Sequence, residues 1–173
     1  MHKPVVPIQV KALVPTGNGC AVFLGNDDKT FVIYVDPSVG GAIGMFISNI
    51  RKERPLTHDL IGLILAAFGA KVERIVINAV DGGTFYGRLI LQAENEIQQK
   101  KIIELDARPS DCIALAVAQK APIYVSETVW EEVEDMSEIL QKLTKAQEDL
   151  KLSEEDFDDE EEDEDDDDAD DHS

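Results

Sequence analysis

The sequence predicts an α+β fold with largely antiparallel strands, and three observations carry that prediction. Short β-branched runs are separated by clusters of turn residues, so neighbouring strands are joined as hairpins. The order strand-strand-strand-helix occurs twice. Charge is segregated along the chain: the net −20 arises from 36 acidic against 16 basic residues, but residues 153–173 hold 16 acidic residues and no Lys or Arg. Residues 127–152 carry 8 acidic against 3 basic, and residues 1–126 carry 13 basic against 12 acidic. A nearly neutral chain able to build one core is therefore joined to an extension that has too little apolar surface to fold. The expected organisation is a domain over 1–135, a helix over 136–152 and a disordered acidic tail over 153–173.

Val5 to Val14 alternates around Pro7, Cys20 to Leu24 is a short apolar run, and Thr30 to Val35 is another, so three strands open the chain. Pro15-Thr16-Gly17-Asn18-Gly19 and Gly25-Asn26-Asp27-Asp28 mark the turns between them. Asp36-Pro37-Ser38 then starts a helix with Ile43, Phe46, Ile47 and Ile50 on one stripe, ending near Arg51 to Arg54 before Pro55. Thr57 is positioned to cap a second helix, His58 to Phe68, closed by Gly69. Leu60, Ile61, Leu63, Ile64 and Leu65 make that helix apolar nearly all round, which predicts deep burial. Strands follow at Lys71 to Asn78, Thr84 to Gln92 and Lys100 to Leu105, with Asp81-Gly82-Gly83 turning between the first two. A helix from about Pro109 to Gln119 and a short strand, Pro122 to Val125, complete the domain. Ser126 begins a helical stretch that reaches about Leu152, with an interruption expected near Asp135.

Sliding the sequence by 70 positions lays Val10 on Val80, Phe31 to Asp36 on Lys101 to Asp106, and Ile43 on Ile113. An old duplication leaves this kind of trace and predicts two similar halves about a pseudo-two-fold axis; a chance recurrence of two meanders explains it equally well. Cys20 and Cys112 belong to no CxxC or Cys/His ligand pattern and read as small apolar residues without a disulfide. The longest apolar stretch is far below the ~20 residues a membrane span needs, and the start of the chain has no secretory signal, so a cytoplasmic protein with no membrane partner is expected.

No P-loop, GxGxxG, HExxH, GxSxG or paired CxxC is present. Two polar clusters remain, Arg54-Pro55-Leu56-Thr57-His58-Asp59 at a loop-to-helix junction and Glu104 to Asp111 at a strand-to-helix junction. Alternation puts Glu104 and Asp106 on one face of a strand end, and Asp111 falls in the first turn of the next helix, where the macrodipole favours an anion. Glu104, Asp106 and Asp111 as ligands for Mg²⁺ or Mn²⁺, Arg108 for a phosphodiester and His58 for proton transfer are the parts of a metal-assisted phosphodiesterase. The same residues also serve as ordinary helix caps, with Arg108 paired to Asp106 or Asp111, and spacing alone leaves both readings open.

At these residues the chain resembles the bifunctional nuclease domain family. The resemblance rests on Arg54-Pro55-Leu56-Thr57-His58-Asp59-Leu60, Gly83-Thr84-Phe85-Tyr86, Asp106 to Ala116 (Asp-Ala-Arg-Pro-Ser-Asp-Cys-Ile-Ala-Leu-Ala) and Ala121-Pro122-Ile123-Tyr124-Val125, in one order over about residues 5–135. It implies an α+β domain, a homo-oligomer, and an activity on DNA and RNA. Carried over by position, His58 and Asp59 match one family string, and Asp106, Arg108, Ser110 and Asp111 match another. On that footing His58 is expected to accept the proton, Asp106 and Asp111 to hold metal or water, and Arg108 to clamp phosphate. One departure stands out: members usually have a Glu-Ala pair in a segment resembling IGPxEAxAI, and in this chain, reading Val35 to Ile43, Gly40 and Gly41 are expected to stand where the carboxylate would be, which would impair catalysis if that Glu belongs to the active site.

Two functions compete on this evidence, a metal-dependent nuclease and a non-catalytic homo-oligomeric module whose polar strings are caps and contacts. A neutral domain lacks the basic stripe that usually binds nucleic acid, although Arg51, Lys52 and Arg54 form one small cluster and Lys100-Lys101 another. The acidic tail reads as a solubilising extension, or more sharply as a nucleic-acid mimic acting on the Arg51/Lys100 region.

Overall fold

The structure, a computed structural model, describes residues 4–50, 52–95, 97 and 99–158, with side chains through residue 150. Seven strands form one mixed sheet: β1 (Val5–Thr16), β2 (Gly19–Gly25), β3 (Thr30–Val35), β4 (Ala70–Asp81), β5 (Thr84–Glu94), β6 (Lys100–Ala107) and β7 (Ile123–Ser126). Each expected strand is present, several running two to four residues longer. Their order is β3-β2-β1-β7-β4-β5-β6. Two antiparallel meanders, β1-β2-β3 and β4-β5-β6, therefore flank the short β7, which pairs antiparallel with β1 and parallel with β4. One meander lies on each side of β7, an order that both a duplication and a chance recurrence of two meanders allow. The β4–β5 turn has only Gly82 and Gly83 between the strands, at φ of 54° and 82°. A two-residue hairpin with positive φ at both positions admits glycine most readily.

The sheet does not lie flat. With strands ~4.8 Å apart, β3 and β5 would be ~24 Å apart in a planar sheet, yet the rings of Phe31 and Phe85 stack with centroids 5.9 Å apart. Strand β1 makes this possible by pairing with β7 through its first half and with β2 through its second, with a register shift between Val10 and Ala12 that lets it bend. The core lies inside the curl. Val22, Leu24, Phe31, Ile75, Ile77 and Val125 from the strands meet Ile43, Ile113 and Val129 from the helices, all essentially free of solvent. Burying side chains of this size is worth about 1.5–3 kcal/mol each, which is what holds the curl closed.

Helix α1 (Pro37–Ile47) and helix α3 (Pro109–Gln119) begin directly after β3 and β6, each with Pro in its first turn. Helix α1 stops at Ile47, short of the expected Arg51, because Asn49 adopts a left-handed conformation at φ 53°. Helix α2 (Thr57–Ala67) takes Leu56, not Thr57, as its N-cap: the Leu56 N–H donates to the Asp59 carboxylate at 2.9 Å. The expectation that α2 is deeply buried is corrected. Ile61 and Leu65 pack on the core, but Leu60, Leu63 and Ile64 are 48–58 % exposed, and His58 is the helix's one buried residue. Apolarity all round a helix specifies burial on all sides, and among the described residues only one side of α2 is covered.

A short helix α4 (Glu127–Glu132) follows β7, with the Ser126 hydroxyl accepting from the Val129 N–H at 3.3 Å. The helical run breaks after it, at Val133 to Met136, as expected near Asp135. From Ser137 the chain forms a second unit, the helix α5 (Ser137–Asp158). It runs six residues past the expected end at 152. Ile139, Leu140, Leu143 and Leu150 recur along it at helical spacing. Residues 159–173, most of the expected tail, lie outside the described residues, as does Arg51. No helix among the described residues is long and apolar enough to cross a membrane.

Helix α1 approaches β2 so closely that a Cβ on Gly40 would lie 2.4 Å from the Cys20 Cβ, whereas one on Gly41 meets nothing within 4 Å. Gly40→Ala is expected to destabilise the domain by about 1–3 kcal/mol through overpacking. Gly41→Ala is expected to stabilise it by about 0.5–1 kcal/mol through helix propensity. Chemical denaturation of the two variants gives the signs, and equal signs refute this account of α1.

Candidate active site

Three helix starts meet at one place on the domain. Asp36 precedes α1, His58 lies in the first turn of α2, and Arg108 and Asp111 flank Pro109 at the start of α3. Asp111 joins them. Its Oδ1 lies 3.1 Å from His58 Nε2 and its Oδ2 accepts from Arg108 Nε at 2.8 Å, with a further Arg108 Nη2 contact to Oδ1 at 3.4 Å. The other end of the guanidinium reaches back to α1, with Nη1 3.7 Å from Asp36 Oδ2. With its proton on Nε2, His58 donates to Asp111 and presents Nδ1 as the acceptor.

Burial works against ionising Asp111, but the hydrogen bonds from Arg108 and His58 and the Arg108 charge outweigh it, holding the carboxyl below the usual range. The first-turn N–H groups of α3 favour the same anionic state. The Arg108 side chain stays 65 % exposed, so its face toward solvent is open to a ligand.

Arg108, Pro109 and Ser110 line a cleft of about 530 Å³ together with Tyr34, Asp36, Gly83, Thr84 and Phe85. The curl of the sheet creates this cleft, because Thr84-Phe85 comes beside Tyr34-Val35 only when β5 folds over β3. His58 and Asp59 open instead onto a groove between α1 and α2, and Asp111 is the link between the two spaces.

The structure thus gathers His58, Arg108 and Asp111, and places the other expected residues elsewhere. The Asp59 carboxylate is occupied at the N-terminus of α2. A Cβ on Gly87 of β5 would touch Cys112 and Pro109, so Gly87 and its partner Ala107 face α3, while Glu104 and Asp106 take the opposite face of β6. There Glu104 lies 3.6 Å from Arg88, and Arg88 is the cross-strand partner of Asp106. Among the described residues, no three His, Cys, Asp or Glu side chains are grouped to hold a metal ion.

Comparison with known proteins bears on the same residues. The profile of the bifunctional nuclease domain matches residues 22–138. The chain belongs to that family. The matched span includes α1, α2 and α3, and with them every residue of the His58–Asp111–Arg108–Asp36 chain. Two uncharacterised proteins of Mycobacterium tuberculosis, from the CDC 1551 and H37Rv strains, are each 36 % identical to it over 104 residues. That overlap is 60 % of this chain and 58 % of each relative's length.

Within the family domain, registering the segment IGPxEAxAI on Pro37 and Ala42-Ile43 puts its Glu over Val39 and its Ala over Gly40. This corrects the expectation that Gly40-Gly41 replace the acid. Val39 is a core residue, and Asp36, one helical turn earlier, is the carboxylate that α1 offers to Arg108. Asp36 is the residue that sequence reasoning passed over. It reads as a cap, yet it makes no side-chain cap bond. Cys112, next to Asp111, is fully buried, and burial with the Asp111 and Asp106 charges pushes its thiol up to about 12, so it is inert.

Because the Asp111 pKa is depressed in the folded domain relative to an ordinary carboxyl at 3.8, its contribution to stability is present above that pH. It is lost as the pH falls through the lower folded value. Asp111→Asn is expected to remove this component, so that its thermal midpoint falls less than that of the parent between neutral and strongly acid pH. Parallel curves for the two proteins would remove the linkage.

Proposed function

We propose that the domain hydrolyses phosphodiester bonds of DNA and RNA, with Arg108 binding the phosphate and the His58–Asp111 pair handling the proton. The observation that carries this reading is the Asp111 carboxylate, which bonds both His58 and Arg108 and so joins the groove that His58 lines to the cleft that Arg108 lines; a substrate strand would have to reach both. An imidazole is the side chain whose ordinary pKa suits proton transfer near neutrality, and a carboxylate on one ring nitrogen fixes which nitrogen accepts. Arg108 presents a planar fork to phosphate at the mouth of the cleft. A substrate oxygen bound there competes with Asp36 for the guanidinium.

The residues do not fit a preformed cage of Glu104, Asp106 and Asp111, since the first two face away from Asp111. A divalent cation such as Mg²⁺ or Mn²⁺ that arrives with substrate phosphates needs only one or two protein carboxylates. Asp111 and Asp36, which flank Arg108, are the carboxylates in position for that mode. The ion would stabilise charge developing on the phosphate oxygens.

A second reading, a homo-oligomeric module without catalysis, is favoured by the bond from Leu56 N–H to Asp59 and by the Arg108–Asp111 pair, which satisfy these polar groups without any substrate. Incubating the purified protein with DNA and RNA in the presence of Mg²⁺, Mn²⁺ or EDTA separates the two. Hydrolysis is expected, lowered by about 10²-fold or more in His58→Ala and strongly in Arg108→Ala, and unchanged in Glu104→Gln. Activity that survives in both His58→Ala and Arg108→Ala refutes the site, and no hydrolysis under any condition favours the module.

A further inference from the structure

We infer that the free edge of β3 is a nucleobase site, which makes the substrate of the proposed reaction a strand with unpaired bases. The Asn26 N–H donates to the Lys29 carbonyl at 3.1 Å, closing the β2–β3 hairpin, and the pairing runs on as Gly25 with Thr30, Leu24 with Phe31 and Phe23 with Val32. Only every second pair of an antiparallel ladder exchanges bonds, so Phe31, Ile33 and Val35 bond β2, while Thr30, Val32 and Tyr34 turn their N–H and C=O groups outward. Thr30 shows what this edge binds. Its N–H donates to Asp135 Oδ1 at 3.3 Å, and its carbonyl accepts from the Met136 N–H at 2.6 Å. The bonding stops there: among the described residues nothing pairs with the outward backbone groups of Val32 and Tyr34.

Two spaces share this edge, with Val32, Tyr34, Gly83 and Phe85 lining both. One is the Arg108 cleft, and the other is a pocket of about 370 Å³ walled by Phe31, Val80 and Met136, with Glu132 and Glu134 among its lining residues. Charge decides what each takes. Arg108 suits a phosphate, whereas the pocket has two carboxylates and no Lys, Arg or His, so it repels a phosphate and offers its apolar walls to a base. A base at the edge can stack on the Tyr34 ring and bond the N–H and C=O of Val32 or Tyr34 through its Watson–Crick groups. Every base carries a donor and an acceptor there, so the site selects unpaired over paired bases, and it uses nothing that differs between DNA and RNA. In a duplex the same groups are taken by the partner strand. An extended peptide is the other ligand that pairs with a strand edge, but the open edge offers only Val32 and Tyr34, fewer than the roughly three residues of the shortest strands. The inference rests on Arg108 as the phosphate ligand of the hydrolytic reading.

Fluorescence anisotropy of a labelled oligothymidylate with the full chain, in EDTA to stop metal-assisted cutting, tests the site apart from hydrolysis. The single strand is expected to bind about tenfold or more tightly than the same strand in a duplex, and Tyr34→Ala to weaken it by about tenfold, while Tyr34→Phe, which keeps the ring, stays within about twofold. Both variants change an exposed side chain and should keep the parent circular dichroism. Methylation of the thymine N3, which leaves the ring but removes its donor, should also weaken binding. In the hydrolysis assay Tyr34→Ala should raise KM and leave kcat unchanged. Equal binding of single strand and duplex overturns the inference, as does a Tyr34→Ala variant or a methylated strand that binds like the parent. Hydrolysis that proceeds equally on single strands and duplexes overturns it and leaves the hydrolytic reading standing. Single-strand binding of the expected pattern without hydrolysis supports the base site and removes that reading instead.

Discussion

The stacking of Phe31 on Phe85 closes the sheet on itself, and the rest of the domain follows from that closure. The two aromatic rings sit on strands five places apart in the sheet order, so they meet only if the sheet curls through its whole width. Burial of one continuous core inside the curl supplies the driving force, and the bend in β1 removes the steric obstacle. Once closed, the ends of β3 and β6 lie near each other, and the helices that leave those ends start side by side. The candidate site is made from those helix starts.

A site at three helix N-termini has an electrostatic logic. Each terminus presents partial positive charge and unpaired N–H groups, and together they favour anions. Asp111 and Asp36 occupy that field in the structure, and Arg108 is held between them. Arg108 and His58, whose hydrogen bonds and charges keep Asp111 ionised, would with that field receive a phosphate. Binding of the proposed substrate would be an exchange of one anion for another around the guanidinium.

The neutral charge of residues 1–126 acquires a different meaning in this setting. The proposed recognition of nucleic acid would not rest on a broad basic face, since Lys100 and Lys101 lie at the edge strand β6 and the cleft itself holds one cation, Arg108, among its lining residues. Affinity would come from the local field and from the aromatic wall that Tyr34, 70 % exposed, adds beside Arg108.

Local physics was legible in the sequence. Alternating β-branched runs, Gly82-Gly83, and the proline starts of α1 and α3 are decided by backbone sterics and side-chain period, which act within a few residues, so the strands, the hairpins and the α+β class could be read from the chain alone. The family, too, was legible in its strings, and His58, Arg108 and Asp111 were named from them. What the tertiary structure alone decided is which of these residues meet. Glu104 and Asp106 share a face, as alternation requires, but it is the face turned away from α3, because the packing of Gly87 against Cys112 selects which side of β5 and β6 the helix covers. Asp36 joined the site because the sheet curled, and the outer face of α2 is exposed because no element among the described residues packs over it. Both outcomes depend on contacts between residues distant in sequence, which no local pattern encodes.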